Sequence, residues 1–468
     1  YTQFTFALQN TLRFTDNNRL ETSYALDSID ETLSNSATNS FLRNDLLMTN
    51  VIEFGADKEN EARTYLRFYD QSGDFGFTSL RLEEQVRLRH SEDLDSRYNL
   101  RAEQLERDGE TQHLVNGSAT VTHRLFDSLV TNATAGGDYF STSEDFDSYS
   151  VFLRVSEDYT KRMGPGRLDL GLGGGVNLQR NSERGSTVSV VNDQRRFNDP
   201  SPITISQRNI EEGSVVVTGP GGIPTFVEGV DYTVEYFPDR IEIRPILGGG
   251  IVDGSTVLVD YDIGPEPASD IDTFNTNASF RYTFAEGWLR GLALYTSYRT
   301  TDHSIDAVDP DQFALDDIRN WVSGVEYRRK WFGLLAEYED NDSTQNPFQT
   351  TRLQGLFEYP LGPGSLVSLR TDYEMTDFEQ PDNHLDFLRV SARWNHRWSD
   401  ALDTLARLDY RNEQDERRGD SEGVDAIGSI RWRKRQTSVY VTYRATIVDS
   451  DSSNNTSHYV EFGFTRAF

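Results

Sequence analysis

The chain ends with the sequence HYVEFGFTRAF, residues 458–468, in which apolar and aromatic side chains occupy alternate positions: Val460, Phe462, Phe464 and Phe468. Successive side chains of a β-strand point to opposite faces, so these four residues share one face of a strand. The whole chain has a formal net charge of -30. A strand with one fully apolar face in so acidic a protein requires an apolar environment on that face.

The same alternation recurs along most of the chain. Examples are Leu80, Leu82, Val86 and Leu88, then Leu388, Val390, Ala392 and Trp394. Counting such segments predicts about 21 strands, and no segment has the 3.6-residue period of an amphipathic helix. The sequence therefore predicts an all-β protein.

Composition excludes several classes of protein. Mean hydropathy is -0.62 and hydrophobic residues make up 36% of the 468 residues, which is too polar for a helical membrane protein. Because there is no cysteine, disulfides and thiolate metal sites are excluded.

The predicted links between strands alternate in length. Links after odd-numbered strands are short, as at 57–60, 91–93 and 329–331, whereas links after even-numbered strands are predicted to be long and polar, as at 300–317 and 449–456. Antiparallel strands with short turns at one end and long loops at the other are typical of a transmembrane β-barrel.

Residues 182–268 interrupt the alternation and hold eight of the 14 prolines. Short β-like runs separated by glycine-rich turns predict a small β-rich domain, inserted in one long loop, that either crowns the barrel or folds into it; the resemblance described below implies that this loop is on the extracellular side. The predicted organisation is residues 1–181 as the first half of the barrel, 182–268 as the insert and 269–468 as the second half.

On these residues the chain resembles the bacterial outer-membrane β-barrel (porin-like) superfamily. In that family the last strand ends in an aromatic residue after alternating apolar residues that the barrel-assembly machinery reads; Val460, Phe462, Phe464 and Phe468 match, while Arg466 departs from the pattern. The resemblance implies the outer membrane of a Gram-negative bacterium, contact with outer-membrane lipid and lipopolysaccharide, and short turns on the periplasmic side.

The parity of the strands extends this prediction. We expect a large antiparallel up-and-down barrel of about 22 strands, about 21 of them in this chain, with one further strand before Tyr1. The alternative is a 21-strand barrel closed by a parallel pair. Tryptophans beside the short turns are predicted to form an interfacial aromatic girdle. They are Trp288, Trp331, Trp398 and Trp432.

Arginine dominates the positions opposite the apolar sets, and only four of the 46 basic residues are lysine. The predicted lumen-facing arginines are Arg63, Arg67, Arg81, Arg87, Arg97, Arg101, Arg370, Arg389, Arg393, Arg407 and Arg431. Two interpretations follow. Either these guanidinium groups favour anions or an acidic partner in a water-filled passage, or they pair with carboxylates across strands and stiffen a wide wall.

The seven histidines are scattered, none in a metal-ligand spacing or beside a nucleophile, so we expect no enzymatic activity, no cofactor and no metal. The acidic composition disfavours nucleic acid. The first functional hypothesis is a channel or conduit for a solute or a secreted polymer. The alternatives are a sheath that holds a partner protein inside the barrel, as in porin-cytochrome electron conduits, and a surface adhesin or receptor that presents the insert.

Overall fold

The computed structural model describes residues 2–466 except 33–37, 74–75, 108, 144–145, 184, 186, 198–201, 206, 220–223, 238–239, 247–248, 252–253, 309, 311–312, 314, 380–381, 418, 435–436 and 451–453. The predicted all-β architecture is confirmed. The strands are β1 Thr2–Thr15, β2 Asn18–Thr32, β3 Thr38–Phe54, β4 Asn60–Gly73, β5 Phe77–Arg89, β6 Leu94–Arg107, β7 Glu110–Leu125, β8 Leu129–Thr142, β9 Asp147–Met163, β10 Gly166–Asn181, β11 Val188–Arg196, β12 Ile203–Ile205, β13 Val216–Thr218, β14 Tyr232–Tyr236, β15 Ile241–Pro245, β16 Thr256–Ile263, β17 Ser269–Phe284, β18 Leu292–Ala307, β19 Ile318–Arg329, β20 Phe332–Ser343, β21 Phe348–Gly362, β22 Ser365–Glu379, β23 Asp382–Ser399, β24 Leu402–Asp415, β25 Ser421–Lys434, β26 Thr437–Ser450 and β27 Asn454–Arg466.

One 21-stranded sheet forms the body of the protein. Each of its strands pairs antiparallel with the next along the chain, and β10 pairs with β17 across residues 182–268, with Asn181 opposite Ser269. With an odd number of alternating strands, β1 and β27 run in the same direction. No ladder joins those two strands among the described residues, so the additional strand stays a prediction.

The two faces of the sheet differ in chemistry. On β5 and β6, for example, Leu80, Leu82 and Leu100 are exposed on one face, while Arg81 and Glu103 lie on the other. Soluble proteins rarely expose apolar surface so continuously. The apolar face is therefore the outer, lipid-facing side of the sheet, and the charged face lines the interior.

The described part of residues 182–268 forms six short strands in two three-stranded sheets, β11-β16-β13 and β12-β15-β14. Their apolar side chains pack into one core of their own, with Val217, Ile243, Val257 and Val259 fully buried. We refer to residues 182–268 as the insert, to the end of the sheet from which it emerges as the insert end, and to the opposite end as the far end.

The prediction of long links at 300–317 and 449–456 is wrong in extent. Strand β18 continues to Ala307, β26 continues to Ser450 and β27 begins at Asn454. Strand pairing needs only backbone groups, so strands continue beyond the apolar band with polar side chains that hide them from a hydropathy pattern. No helix long and apolar enough to cross a membrane occurs in the described part of the chain.

Candidate functional site: the lumen and the insert

Ion pairs between neighbouring strands cover much of the inward face. The Arg67 guanidinium donates from Nε and Nη2 to both carboxylate oxygens of Asp45, at 2.9 and 2.8 Å. Arg81 donates to both oxygens of Glu103 at 3.1 Å, and Arg101 donates to the same carboxylate. These bidentate contacts depend on the planar guanidinium fork, which explains why arginine replaces lysine on this face.

Arg352 on β21 is the most densely paired cation of the inward face. Its guanidinium lies 3.0 Å from Glu337, 2.6 Å from Glu339 and 2.9 Å from Glu374. The Tyr295 hydroxyl donates to Glu337 at 2.6 Å, so the network spans strands β18 to β22. Such a network joins side chains of four strands, β18, β20, β21 and β22, and favours the stiff-wall interpretation for this part of the lumen.

The remaining predicted arginines divide into two groups. Four have a carboxylate partner: Arg63 with Glu61 at 3.0 Å, Arg370 with Asp372 at 2.8 Å, Arg389 with Asp409 at 3.8 Å and Arg407 with Asp409 at 2.5 Å. Arg87, Arg97, Arg393 and Arg431 face inward by register but have no carboxylate within ion-pair distance among the described residues. Both sequence interpretations therefore keep some support, in different parts of the wall.

The four predicted girdle tryptophans lie at the far end. Trp331 and Trp288 fall in links, and Trp398 and Trp432 lie near the far ends of β23 and β25. The Lys330 Nζ lies 4.4 Å from the centre of the Trp331 ring. Val460, Phe462 and Phe464 are exposed on the outer face of β27, whereas Phe468 lies outside the described residues. Their roles in anchoring and assembly stay predictions.

The insert lies inside the lumen at the insert end. Insert residues 190–194 and Leu258 face inward residues of β4 to β8, among them Arg67 and Arg101, across a recess of about 680 Å³. The Gln112 side chain of β7 donates to the Ser189 carbonyl oxygen at 2.7 Å. Arg67 and Arg101 lie near the middle of their strands, so the insert and its recesses occupy roughly the insert-end half of the barrel.

The opposite wall also contacts the insert. A second recess of about 560 Å³ separates the insert from inward residues of β17 to β21, and Arg417 lies 3.5 Å from Glu235 of the insert. The sheet must therefore curve around the insert, because strands far apart in sequence meet it from both sides. Polar contacts and large recesses distinguish this interface from the dry core of the insert itself.

Burial shifts the pKa of two charged groups of the insert. Burial lowers the pKa of the Arg208 guanidinium, partly offset by Glu266 at 3.3 Å, and Arg208 stacks 4.8 Å above the Phe313 ring. Burial raises the pKa of the Asp260 carboxyl, although the Asn192 amide and the charge of Arg107 on β6 oppose the rise. Buried charges at this interface are weakly solvated, so small movements of the insert change their energy.

Several arginines of the inward face are missing from the sequence prediction, among them Arg352 and Arg397. These two occupy positions of inward register on their strands, β21 and β23. Extending the period-two count through the ends of these strands would have identified them. No group of three or more His, Asp or Glu side chains with metal-binding geometry occurs among the described residues.

Neither a protein-family model nor a curated protein matches this chain in sequence. Solved structures match its fold. The closed form of the ferric-catecholate import receptor Fiu from E. coli K12 aligns over 99% of this chain and 79% of its own, with a TM-score of 0.56 and 8% identity. Its open form gives a TM-score of 0.54 at 9% identity, covering 99% of this chain and 78% of the receptor.

The ferripyoverdine receptor of the Pseudomonas aeruginosa outer membrane also aligns, over 91% of this chain and 63% of the receptor, with a TM-score of 0.50 and 9% identity. At such identities the likeness concerns the fold. The apolar outer face, the up-and-down topology and the size of the sheet agree with that fold. The chain thus has the fold of these large, up-and-down β-barrels.

Proposed function

We propose that this protein is an outer-membrane conduit whose insert closes the lumen at the insert end and opens it by moving. The observation that carries the proposal is the position of the insert, which faces inward residues of β4 to β8 and of β17 to β24. Barrels of about 22 strands enclose a lumen wide enough to need filling, since an empty one would leak. An obstruction built into the lumen is consistent with controlled passage.

The character of the interface supports movement. The insert keeps its apolar side chains in its own core, so leaving the wall would not expose that core. The direct contacts with the wall that join Gln112 to Ser189 and Arg417 to Glu235 are polar. Recesses of about 560 and 680 Å³ separate the two surfaces elsewhere, and apolar side chains such as Phe140 and Val190 line the larger one. Polar, hydrated interfaces separate at smaller cost than apolar ones, because water replaces the lost hydrogen bonds.

A sheath around a partner protein is less well supported. A partner that spans the lumen would have to displace the insert from roughly half of the barrel. The surface-receptor hypothesis also loses support, because the surfaces of the insert that face β4 to β8 are covered by the wall. One similar solved structure is named as an import receptor and another as an outer-membrane receptor, which supports transport in general and leaves the cargo of this chain open.

Excision of the insert tests the proposal. Asn181 and Ser269 are direct ladder partners, so an Asn-Gly turn that replaces residues 182–268 rejoins β10 and β17 without a change of register. In planar bilayers we expect the full chain to conduct little and the excised variant to form a large, permanently open pore. Equal conductance of the two proteins would overturn the gating proposal, and no conductance from either would overturn the conduit.

A tethered insert gives a matched control. The chain has no cysteine, so Gln112→Cys and Ser189→Cys introduce a unique pair at a contact between wall and insert. Cross-linking with a short cleavable bismaleimide should abolish any gated conductance of the full chain, and cleavage should restore it. A cross-linked protein that conducts normally would show that passage does not require the insert to move.

A further inference from the structure

The far half of the lumen contains a recess of about 470 Å³ on the wall formed by β22 to β25. It lies near the turn between β21 and β22, away from the insert. Three exposed arginines of inward register line it, Arg393 and Arg397 on β23 and Arg431 on β25. None of the three has a carboxylate within ion-pair distance among the described residues, unlike most inward arginines of the insert-end half.

Charges around this recess do not cancel. Among the described residues, Asp403 is the one carboxylate that lines the recess, and its oxygen lies 3.1 Å from Arg433. Four arginines surround this one carboxylate: Arg393, Arg397, Arg431 and Arg433. The recess therefore keeps an excess of positive charge. Neighbouring Arg407 is already neutralised by Asp409 at 2.5 Å.

Hydrogen-bond donors dominate the polar side chains of the recess. Arg393 Nε donates to Asn395 Oδ1 at 3.3 Å, which leaves the terminal nitrogens of the guanidinium and the Asn395 amide as donors. The Ser429 oxygen accepts a hydrogen bond from Thr442 at 3.1 Å, so its own hydroxyl hydrogen is available. A surface rich in free donors and poor in acceptors matches the oxygens of phosphate and carboxylate groups.

Local structure holds two of the arginines in place. The Arg397 amide donates to the Gly364 carbonyl oxygen at 2.8 Å, and a side chain at Gly364, whose φ is 78°, would lie 3.1 Å from the Arg397 Cβ. The Arg431 guanidinium lies 6.0 Å from the centre of the Tyr440 ring. A glycine of positive φ therefore lets the turn lie against Arg397.

We propose that Arg393, Arg397 and Arg431 form a binding station for a multivalent oxyanion, a solute or polymer segment that carries two or more phosphate or carboxylate groups. The station names the substrate class of the proposed conduit. Its role in transport rests on that proposed function, whereas its ability to bind anions does not. Elsewhere on the inward face, Arg87 and Arg97 also lack a carboxylate partner among the described residues, and they are ladder partners on β5 and β6. Anions in the far half of the lumen would therefore meet positive charge at two parts of the wall.

Calorimetric titration of the full chain in a zwitterionic detergent tests the station with inorganic tripolyphosphate as the phosphate probe, citrate as the carboxylate probe and sucrose as the neutral probe. We expect both anions to bind, and sucrose not to bind. Affinity should fall as salt increases, because charge attraction drives binding. Arg397→Gln and Arg431→Gln should each weaken tripolyphosphate binding about tenfold, since each removes a charge-assisted donor.

Arg124→Gln is the matched control, because it removes the same charge at the far end of β7 from an arginine that pairs with Asp95 at 2.8 Å. It should leave affinity within about twofold of the unaltered protein. Arg397→Lys keeps the positive charge but loses the planar guanidinium, so its affinity for tripolyphosphate should lie between those of Arg124→Gln and Arg397→Gln. Heat-modifiable gel mobility checks that every variant is folded.

An equal loss of tripolyphosphate affinity in Arg124→Gln and in the recess variants would overturn the proposed binding station. The absence of binding of both anions to the folded protein would also overturn it. Binding in detergent does not depend on conductance. Failure of the station therefore leaves the excision experiment to decide the conduit, and failure of the conduit leaves the titration to decide the station.

Discussion

Replacement of Leu408 by arginine tests which face of the sheet meets lipid. Leu408 is 50% exposed on the outer face of β24, opposite Ala392 and Ala426. It lies six residues from Leu402, the partner of the girdle residue Trp432. At a rise of ~3.4 Å per residue and a tilt of ~40°, these six residues place Leu408 ~15 Å above the far-end girdle.

An apolar band ~25 Å tall therefore puts Leu408 near the middle of the bilayer. Arginine at the midplane costs about 2–4 kcal/mol, falling to about 0–1 kcal/mol near the interfaces. We expect Leu408→Arg to lower the free energy of unfolding of the vesicle-folded protein by about 2–4 kcal/mol relative to Leu408→Ala. Leu402→Arg, at the level of Trp432, should cost the smaller amount.

Ser391→Arg is the matched control for the inner face. Ser391 precedes Ala392, lies opposite Asp409 and Arg370 and donates a hydrogen bond to the Asp409 carboxylate, so an arginine there enters the polar interior and not the lipid. Denaturant titration of the vesicle-folded protein, followed by tryptophan fluorescence and by heat-modifiable mobility, gives the free energies. Equal costs at Leu408 and Ser391 would refute the assignment of faces.

Two further predictions concern packing and pH. A Cβ at Gly324 would overlap the Tyr295 ring, so Gly324→Ala should destabilise the barrel by about 1–3 kcal/mol. Gly333→Ala on β20 is the control and should leave the free energy of unfolding unchanged, because the nearest atom to its new Cβ is 3.8 Å away. The same vesicle titration measures both variants. Burial raises the pKa of Asp260 above its ordinary value of 3.8, so its contribution to insert stability is complete below that pH and is lost as pH rises through the raised pKa. Asp260→Asn should remove this loss of stability. Calorimetry should then show a higher melting temperature of the insert at neutral pH in the variant than in the unaltered protein. The transition of the insert is identified as the one that excision of the insert abolishes.

Alternation along single strands carried most of the fold prediction. Leu80 and Leu82 on one face, with Arg81 between them on the other, need only the period of two to be assigned. The same local rule gave the strand count and the position of the insert in the chain. It failed at 300–307, where β18 continues with polar side chains, because above the lipid no apolar face is required.

Ion-pair partners lay beyond the reach of sequence reasoning. Arg81 pairs with Glu103 and Arg352 with Glu374, 22 residues away in each case, and the choice among several nearby carboxylates depends on register. The unpaired state of Arg393, Arg397 and Arg431 depends on the same register. Sequence alone therefore left open whether the arginines stiffen the wall or attract anions.

The sequence by itself determined that this chain is an up-and-down β-barrel with lipid on one face, because side-chain alternation is a local property of each strand. Tertiary structure alone decided that the insert enters the lumen instead of crowning it, and which arginines remain free for a ligand. Both depend on curvature of the sheet, which brings β4 to β8 and β17 to β24 to opposite sides of one space. Contacts between such distant segments leave no periodic mark in the chain.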